Sequence, residues 1–129
     1  MFQLASLLRN KKLEVVYSVE YDDNWTDDEL FDHIIELNCS EYVMGTLPDL
    51  LNIKKLNCRN SYLDKLPKLP KVEILDCSMN FITKLDMLFS VLKLNCSNNK
   101  LTTLPELPNI VELCCSANEN GYSREQLAR

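Results

Sequence analysis

The chain has 129 residues, an ordinary apolar share of 46%, six cysteines and a formal net charge of −5 at pH 7. Its length implies one domain, and its apolar share excludes a disordered chain. The acidic balance argues against nucleic acid as a general partner, and no apolar run is long enough for a membrane-spanning helix.

Residues 1–12 suit either a short helix or a strand. Residues 13–21 read as a strand, with Leu13, Val15, Tyr17, Val19 and Tyr21 at alternate positions. A second frame is open, in which Val16, Val19, Tyr21 and Asn24 fill slots of a degenerate repeat, one residue out of phase with the copies from residue 34 onward. In either frame this strand is expected to cover the open edge of a sheet, since unpaired edges invite aggregation. Thr26-Asp27-Asp28-Glu29 is a helix start. Thr26 is placed to cap the Glu29 amide and Glu29 to reach back, with Trp25 and Leu30 at the staple positions. The acidic side chains of that turn suit the positive end of a helix. The helix is expected to end near His33, an ordinary cap residue. Residues 1–33 hold eight acidic and three basic side chains, and from residue 34 onward there are eleven of each. The negative charge therefore belongs to this first segment, read as an N-terminal cap of strand plus helix.

From residue 34 the chain repeats itself. Cys39, Cys58, Cys77, Cys96 and Cys115 are each nineteen residues apart, and a fixed period of this size marks a stacked-repeat architecture. Two residues before each cysteine stands Leu37, Leu56, Leu75, Leu94 or Leu113. Five before stand Ile34, Ile53, Val72, Val91 and Ile110. Five, eight and eleven residues after, the slots are again apolar, except in the last copy. Leu-x-Cys alternation fits a short strand with one buried face. The Leu-Pro-x-Leu-Pro half fits an extended return, because proline fixes φ and disfavours helix before it. Three residues after the cysteine stand Asn80, Asn99 and Asn118, whose amides can satisfy turn backbone groups; Tyr42 and Ser61 hold that slot in the first two copies. The amino-terminal repeats are therefore expected to be less regular. The third return reads Asp86-Met87-Leu88-Phe89, which allows a helical turn, a small exposed patch, or local repacking.

The unit Ile/Val-x-x-Leu-x-Cys-x-x-Asn-x-Leu-x-x-Leu-Pro-x-Leu-Pro resembles a leucine-rich repeat with Cys in place of the usual aliphatic residue at its sixth slot. It is most similar to the short Leu-Pro repeats of bacterial effectors and to repeat proteins of giant DNA viruses, over residues 34–118. The resemblance implies an α/β solenoid, mostly β, wound as a right-handed superhelix with a parallel concave sheet. Its expected parts are a cap at 1–33, five repeats at 34–118 and a short C-terminal cap at 119–129, where Ser123-Arg124-Glu125-Gln126 repeats the capping logic. The repeats of bacterial effectors precede a ligase domain; the residues after Asn118 are too few for one, so no enzymatic activity is expected.

The chemistry of sites is sparse. The chain has one histidine, no phosphate-binding glycine loop and no Cys-x-x-Cys pair. No catalytic, cofactor or metal residue is assigned. The repeat cysteines would point the same way into the core, which is poor disulfide geometry, so they are small apolar fillers. Cys114 is expected on the concave face and Cys115 inside. The run Phe2 to Leu8 is too short for a secretory leader, and its basic residues follow it. Reduced thiols then suggest a cytoplasmic setting, where the acceptor patterns at Asn24, Asn38 and Asn95 carry no meaning. The concave face is the candidate surface for a protein partner. One column runs Glu36, Lys55, Ile74, Lys93, Glu112. The next runs Asn38, Asn57, Asp76, Asn95, Cys114, and a third of Ser residues includes Arg59. Self-association through the cap or terminal edge is the second reading, and a cysteine-based redox or metal role the third. The second repeat is basic, through Lys54, Lys55, Arg59, Lys65, Lys68 and Lys71; the acidic cap beside it is read first as a solvated surface, and otherwise as placed to attract that repeat, a second copy or a charged partner.

Overall fold

The computed structural model describes residues 3–119. They form two short helices and six strands in the order α1 (Gln3–Arg9), β1 (Glu14–Tyr17), α2 (Asp27–Asp32), β2 (Ile34–Asn38), β3 (Lys55–Asn57), β4 (Ile74–Asp76), β5 (Lys93–Asn95) and β6 (Glu112–Cys114). One sheet runs β1-β2-β3-β4-β5-β6, so sequence neighbours are also spatial neighbours. From β2 onward the pairing is parallel and in register, with Leu37 beside Leu56, Leu75, Leu94 and Leu113 in turn. The fold is thus a mostly-β parallel solenoid with a nineteen-residue period.

Each strand is short because the chain must leave the sheet to close its coil. The central leucine of β3, β4, β5 and β6 is buried while the residue before it is exposed. The cysteine slot is fully enclosed in every coil, and the slots at Ile34, Ile53, Val72 and Val91 are equally buried. Stacked coils bury their apolar slots against their neighbours, so stability is close to a sum over interfaces. Backbone ladders run beyond the assigned strands: the amides of Cys39, Cys58, Cys77 and Cys96 donate to the next coil, as in Cys58 to the Asp76 carbonyl at 2.9 Å and Cys77 to Asn95 at 2.9 Å.

The amino-terminal end closes one edge. The ambiguous residues 3–9 are helical, burying Leu4, Ala5 and Leu8. β1 pairs antiparallel with β2, placing Glu14 opposite Asn38. That direction corrects the degenerate-repeat frame, because a further copy would have to run parallel to β2. The strand is also shorter than expected. Its register shifts between Val16 and Tyr17, and Val19 is solvent-exposed. Beyond it Tyr17, Tyr21 and Trp25 pack ring against ring with centroids 5.4–5.5 Å apart. α2 has the expected capping box, with the Glu29 amide donating to Thr26 Oγ1 at 3.2 Å and the Thr26 amide to Glu29 Oε1 at 3.1 Å. Arg9 ties the two helices by donating to the Trp25 carbonyl at 2.9 Å and to Asp27 at 2.8 Å. His33 caps the helix C-terminus and stacks on Trp25.

The third return forms no helical turn; Leu88 is buried while Met87 and Phe89 are exposed. The expected C-terminal cap lies outside the described residues, apart from Glu119.

Candidate interaction surface

The outward face of the sheet is set by the alternation of the strands, in which an exposed residue precedes a buried leucine and a half-buried residue follows it. Glu36, Lys55, Ile74, Lys93 and Glu112 are exposed, and the strand register puts them in one row. Neighbouring strands lie about 4.8 Å apart, so the row is about 19 Å long. Lys93 sits 4.0 Å from Glu112, a solvated contact of little energetic weight. Lys55 has no ion pair among the described residues. At the amino-terminal end of the row a cleft of about 270 Å³ is lined by Glu14, Val16, Glu36, Asn38, Lys55 and Asn57.

The second column is committed to the fold. Asn38, Asn57, Asp76, Asn95 and Cys114 are half-buried. Asn38 Oδ1 accepts from the Ser40 amide at 3.0 Å and its hydroxyl at 2.6 Å; Asp76 does the same for Ser78 and Asn95 for Ser97. Asn57 Oδ1 accepts the Arg59 amide at 3.1 Å. These side chains hold the turn that comes after each strand. The third column, read as outward serines, needs correction. Ser78 and Ser97 are buried, and only Arg59 and Ser116 of this column are exposed. Two-residue alternation stops where the strand stops, and the serine is already in the turn. Of the three columns, then, the first presents exposed functional groups and Arg59 adds one cation at its margin.

Behind these columns stands the asparagine ladder. Asn80 Nδ2 donates to the carbonyls of Cys58, Cys77 and Ser78 at 2.9–3.1 Å, and its Oδ1 accepts from Ser61 and Leu63. Asn99 and Asn118 repeat the pattern one and two coils on. Ser61 does part of the work, donating to the Cys39 carbonyl at 3.0 Å. Tyr42 turns outward and donates to the Lys12 carbonyl at 3.2 Å.

Two residues after each cysteine the backbone is left-handed, with φ of 67°, 51°, 56°, 55° and 54° at Glu41, Asn60, Met79, Asn98 and Ala117. Only the asparagines at 60 and 98 tolerate that region readily. The next outward slot, four after the cysteine, is the exposed file Val43, Tyr62, Phe81, Lys100 and Glu119. The amides of Phe81, Lys100 and Glu119 donate to the carbonyls of Leu63, Ile82 and Leu101 at 2.8–3.1 Å, which keeps the file in line. Sequence reasoning did not single out this file. Its signal was present, as bulky apolar residues at one slot of a known period.

The cysteines form the buried file the period predicts, and all six are free thiols. Burial raises the Cys39 and Cys96 thiols to about 12 and pushes Cys58 and Cys77 well above the ordinary value. These thiols are neutral and inert at physiological pH. Cys114 is half-buried at the end of the second column. Among the described residues, no group of three or more His, Cys, Asp or Glu is placed to hold a metal ion, and no helix is long and apolar enough to cross a membrane. His33 meets Ser18 Oγ through Nδ1 at 2.9 Å.

Charge is arranged as the composition suggested. Glu29 and Asp32 line one cleft with Lys54 and Lys71, and Asp28 and Asp32 line another with Lys65 and Lys68. The acidic cap faces the basic second coil. Lys54 also reaches Glu73 at 3.5 Å and Arg59 reaches Glu41 at 3.9 Å, so part of the basic charge is answered by neighbouring coils.

No family model matches the chain, and no curated protein or solved structure matches it either.

Proposed function

We propose that this chain is a non-enzymatic recognition module of the leucine-rich-repeat type, which captures a protein partner through the concave face. The single observation behind the reading is the outward row Glu36-Lys55-Ile74-Lys93-Glu112, in register on a sheet whose opposite face is sealed into the core. A rigid sheet presents that row without an ordering cost at binding. Its two lysines flank an exposed isoleucine, a combination suited to a protein surface with an apolar contact between two acidic groups. The solenoid is wound in the right-handed sense of that repeat class, with residues 1–33 and 119–129 as caps. A protein partner fits this row better than nucleic acid, given the acidic chain. A cytoplasmic setting, inside a host cell for a viral or effector protein, suits the unpaired thiols.

The test is charge reversal. Lys55→Glu with Lys93→Glu is expected to abolish capture of the partner from the native host while leaving the melting temperature unchanged. Unchanged capture by a folded double variant removes the concave face from the account.

A further inference from the structure

The edge of the solenoid just past the strands carries an ordered sequence of charges and rings. It begins at Lys12, whose carbonyl accepts the Tyr42 hydroxyl at 3.2 Å and which therefore lies beside the first coil. The residues then run Glu41 and Val43, Asn60 and Tyr62, Met79 and Phe81, Asn98 and Lys100, and finally Glu119, one coil per step, all exposed except the half-buried Asn60. By sign the edge reads plus, minus, apolar, apolar, plus, minus. Val43 is 58% exposed, Tyr62 53% and Phe81 47%. The Tyr62 and Phe81 rings meet edge to face at 6.0 Å, and the Lys100 ammonium sits 5.4 Å from the Phe81 centroid. Tyr62 is held at a φ of 61°, outside the left-handed slot that every coil shares two residues after its cysteine. Left-handed backbone under bulky apolar side chains is strained, and such strain tends to persist where a surface is used.

Reverse that order and set it against itself. Lys12 falls opposite Glu119, Glu41 opposite Lys100, and Tyr62 opposite Phe81. Each of these four charges meets its opposite and the two rings meet each other, with Glu41 also held by Asn60 Nδ2 at 2.7 Å and by Arg59 at 3.9 Å within its own chain. We infer that this edge is an isologous interface on which a second copy of the chain docks, about a two-fold axis passing between the coils of Tyr62 and Phe81. Self-complementarity under a two-fold is the property such an interface requires, because the same patch serves both partners. The aromatic pair is the buried centre, and the Glu41–Lys100 pairs, made twice, fix the register. The edge spans about 24 Å over five coil steps. That is the low end of interface size, so dimerisation is expected at about micromolar concentration. The inference does not use the concave face, which stays open in the pair.

Sedimentation equilibrium of the whole chain over a concentration series tests it. Wild type is expected to pass from monomer to dimer and no further. Lys100→Glu alone and Glu41→Lys alone should each weaken the dimer at least about tenfold, through like charges placed face to face. The two together should restore it to within about threefold of wild type. Phe81→Ser should leave a folded monomer by circular dichroism; if that variant unfolds, the charge pair alone decides. Lys55→Glu with Lys93→Glu should dimerise as wild type does, which separates this inference from the concave-face reading. A monomer at millimolar concentration overturns the inference. So does a dimer indifferent to the single reversals, or a double variant as weak as the two reversals summed.

Discussion

Three residues after the cysteine, Tyr42 and Ser61 stand where Asn80, Asn99 and Asn118 stand in the later coils. The later side chains are buried or half-buried and join adjacent coils, each amide serving carbonyls of its own coil and of the one before. In the first coil the same turn is closed by backbone instead, with the amides of Met44 and Gly45 donating to the Ser61 carbonyl at 3.0 and 3.1 Å. Gly45 takes φ of +67° to allow it. The stack therefore does not depend on one residue type at that slot. It depends on every buried backbone group finding a partner, which the amide side chain does compactly and a neighbouring main chain can do with a glycine beside it.

Alkaline titration should break both regions at once, because the thiol file is common to them. Burial raises Cys39 and Cys96 from the ordinary thiol value of 9.0 to about 12, and Cys115 shifts the same way. The unfolded chain ionises first, so stability is level below about pH 9 and falls as pH rises toward about 12. Tyr17, raised by burial to about 12, adds to the same loss. Circular dichroism under reducing conditions should show cooperative unfolding in that window. Retention of the β signal at its upper limit would mean the thiols are not enclosed.

The two regions should separate under single substitutions. Asn99→Ala leaves the Ile82 amide without its acceptor and takes one of two donors from the carbonyls of Cys77, Cys96 and Ser97, which keep Asn80, Asn118 and the Met79 amide, at a cost of about 1–3 kcal/mol in urea melts. Ser61→Ala removes only a hydroxyl donor to Cys39 and Arg59, costing about 1 kcal/mol. Tyr42→Phe removes an exposed bond and should stay within about 0.5 kcal/mol of wild type. Equal losses at 42 and 99 would mean the ladder has no special role.

Much of this was legible in the chain. The nineteen-residue period identified the buried slots, because leucine and cysteine recur where only apolar groups fit. The capping box at Thr26 and Glu29 was legible because it is local chemistry. The direction of β1 was not, since Val15, Tyr17 and their neighbours satisfy two frames and only pairing with β2 decides. The serine column was misplaced because alternation was carried past the end of strands three residues long. The left-handed slot was hidden by Glu41, Met79 and Ala117, residues that do not announce positive φ. The row at Glu36, Lys55, Ile74, Lys93 and Glu112 came from alternation alone. What that row binds rests on the proposed concave-face capture.

The stacking of equivalent coils is tested most directly by removing one. Deleting residues 59–77 joins Cys58 to Ser78 and keeps the period intact. The account predicts a folded β protein that melts cooperatively at a lower temperature, with a urea slope reduced in proportion to the lost coil. Deleting residues 59–68 instead breaks the period and should leave the chain unfolded. If both deletions unfold the chain alike, the coils are not interchangeable and the account is wrong.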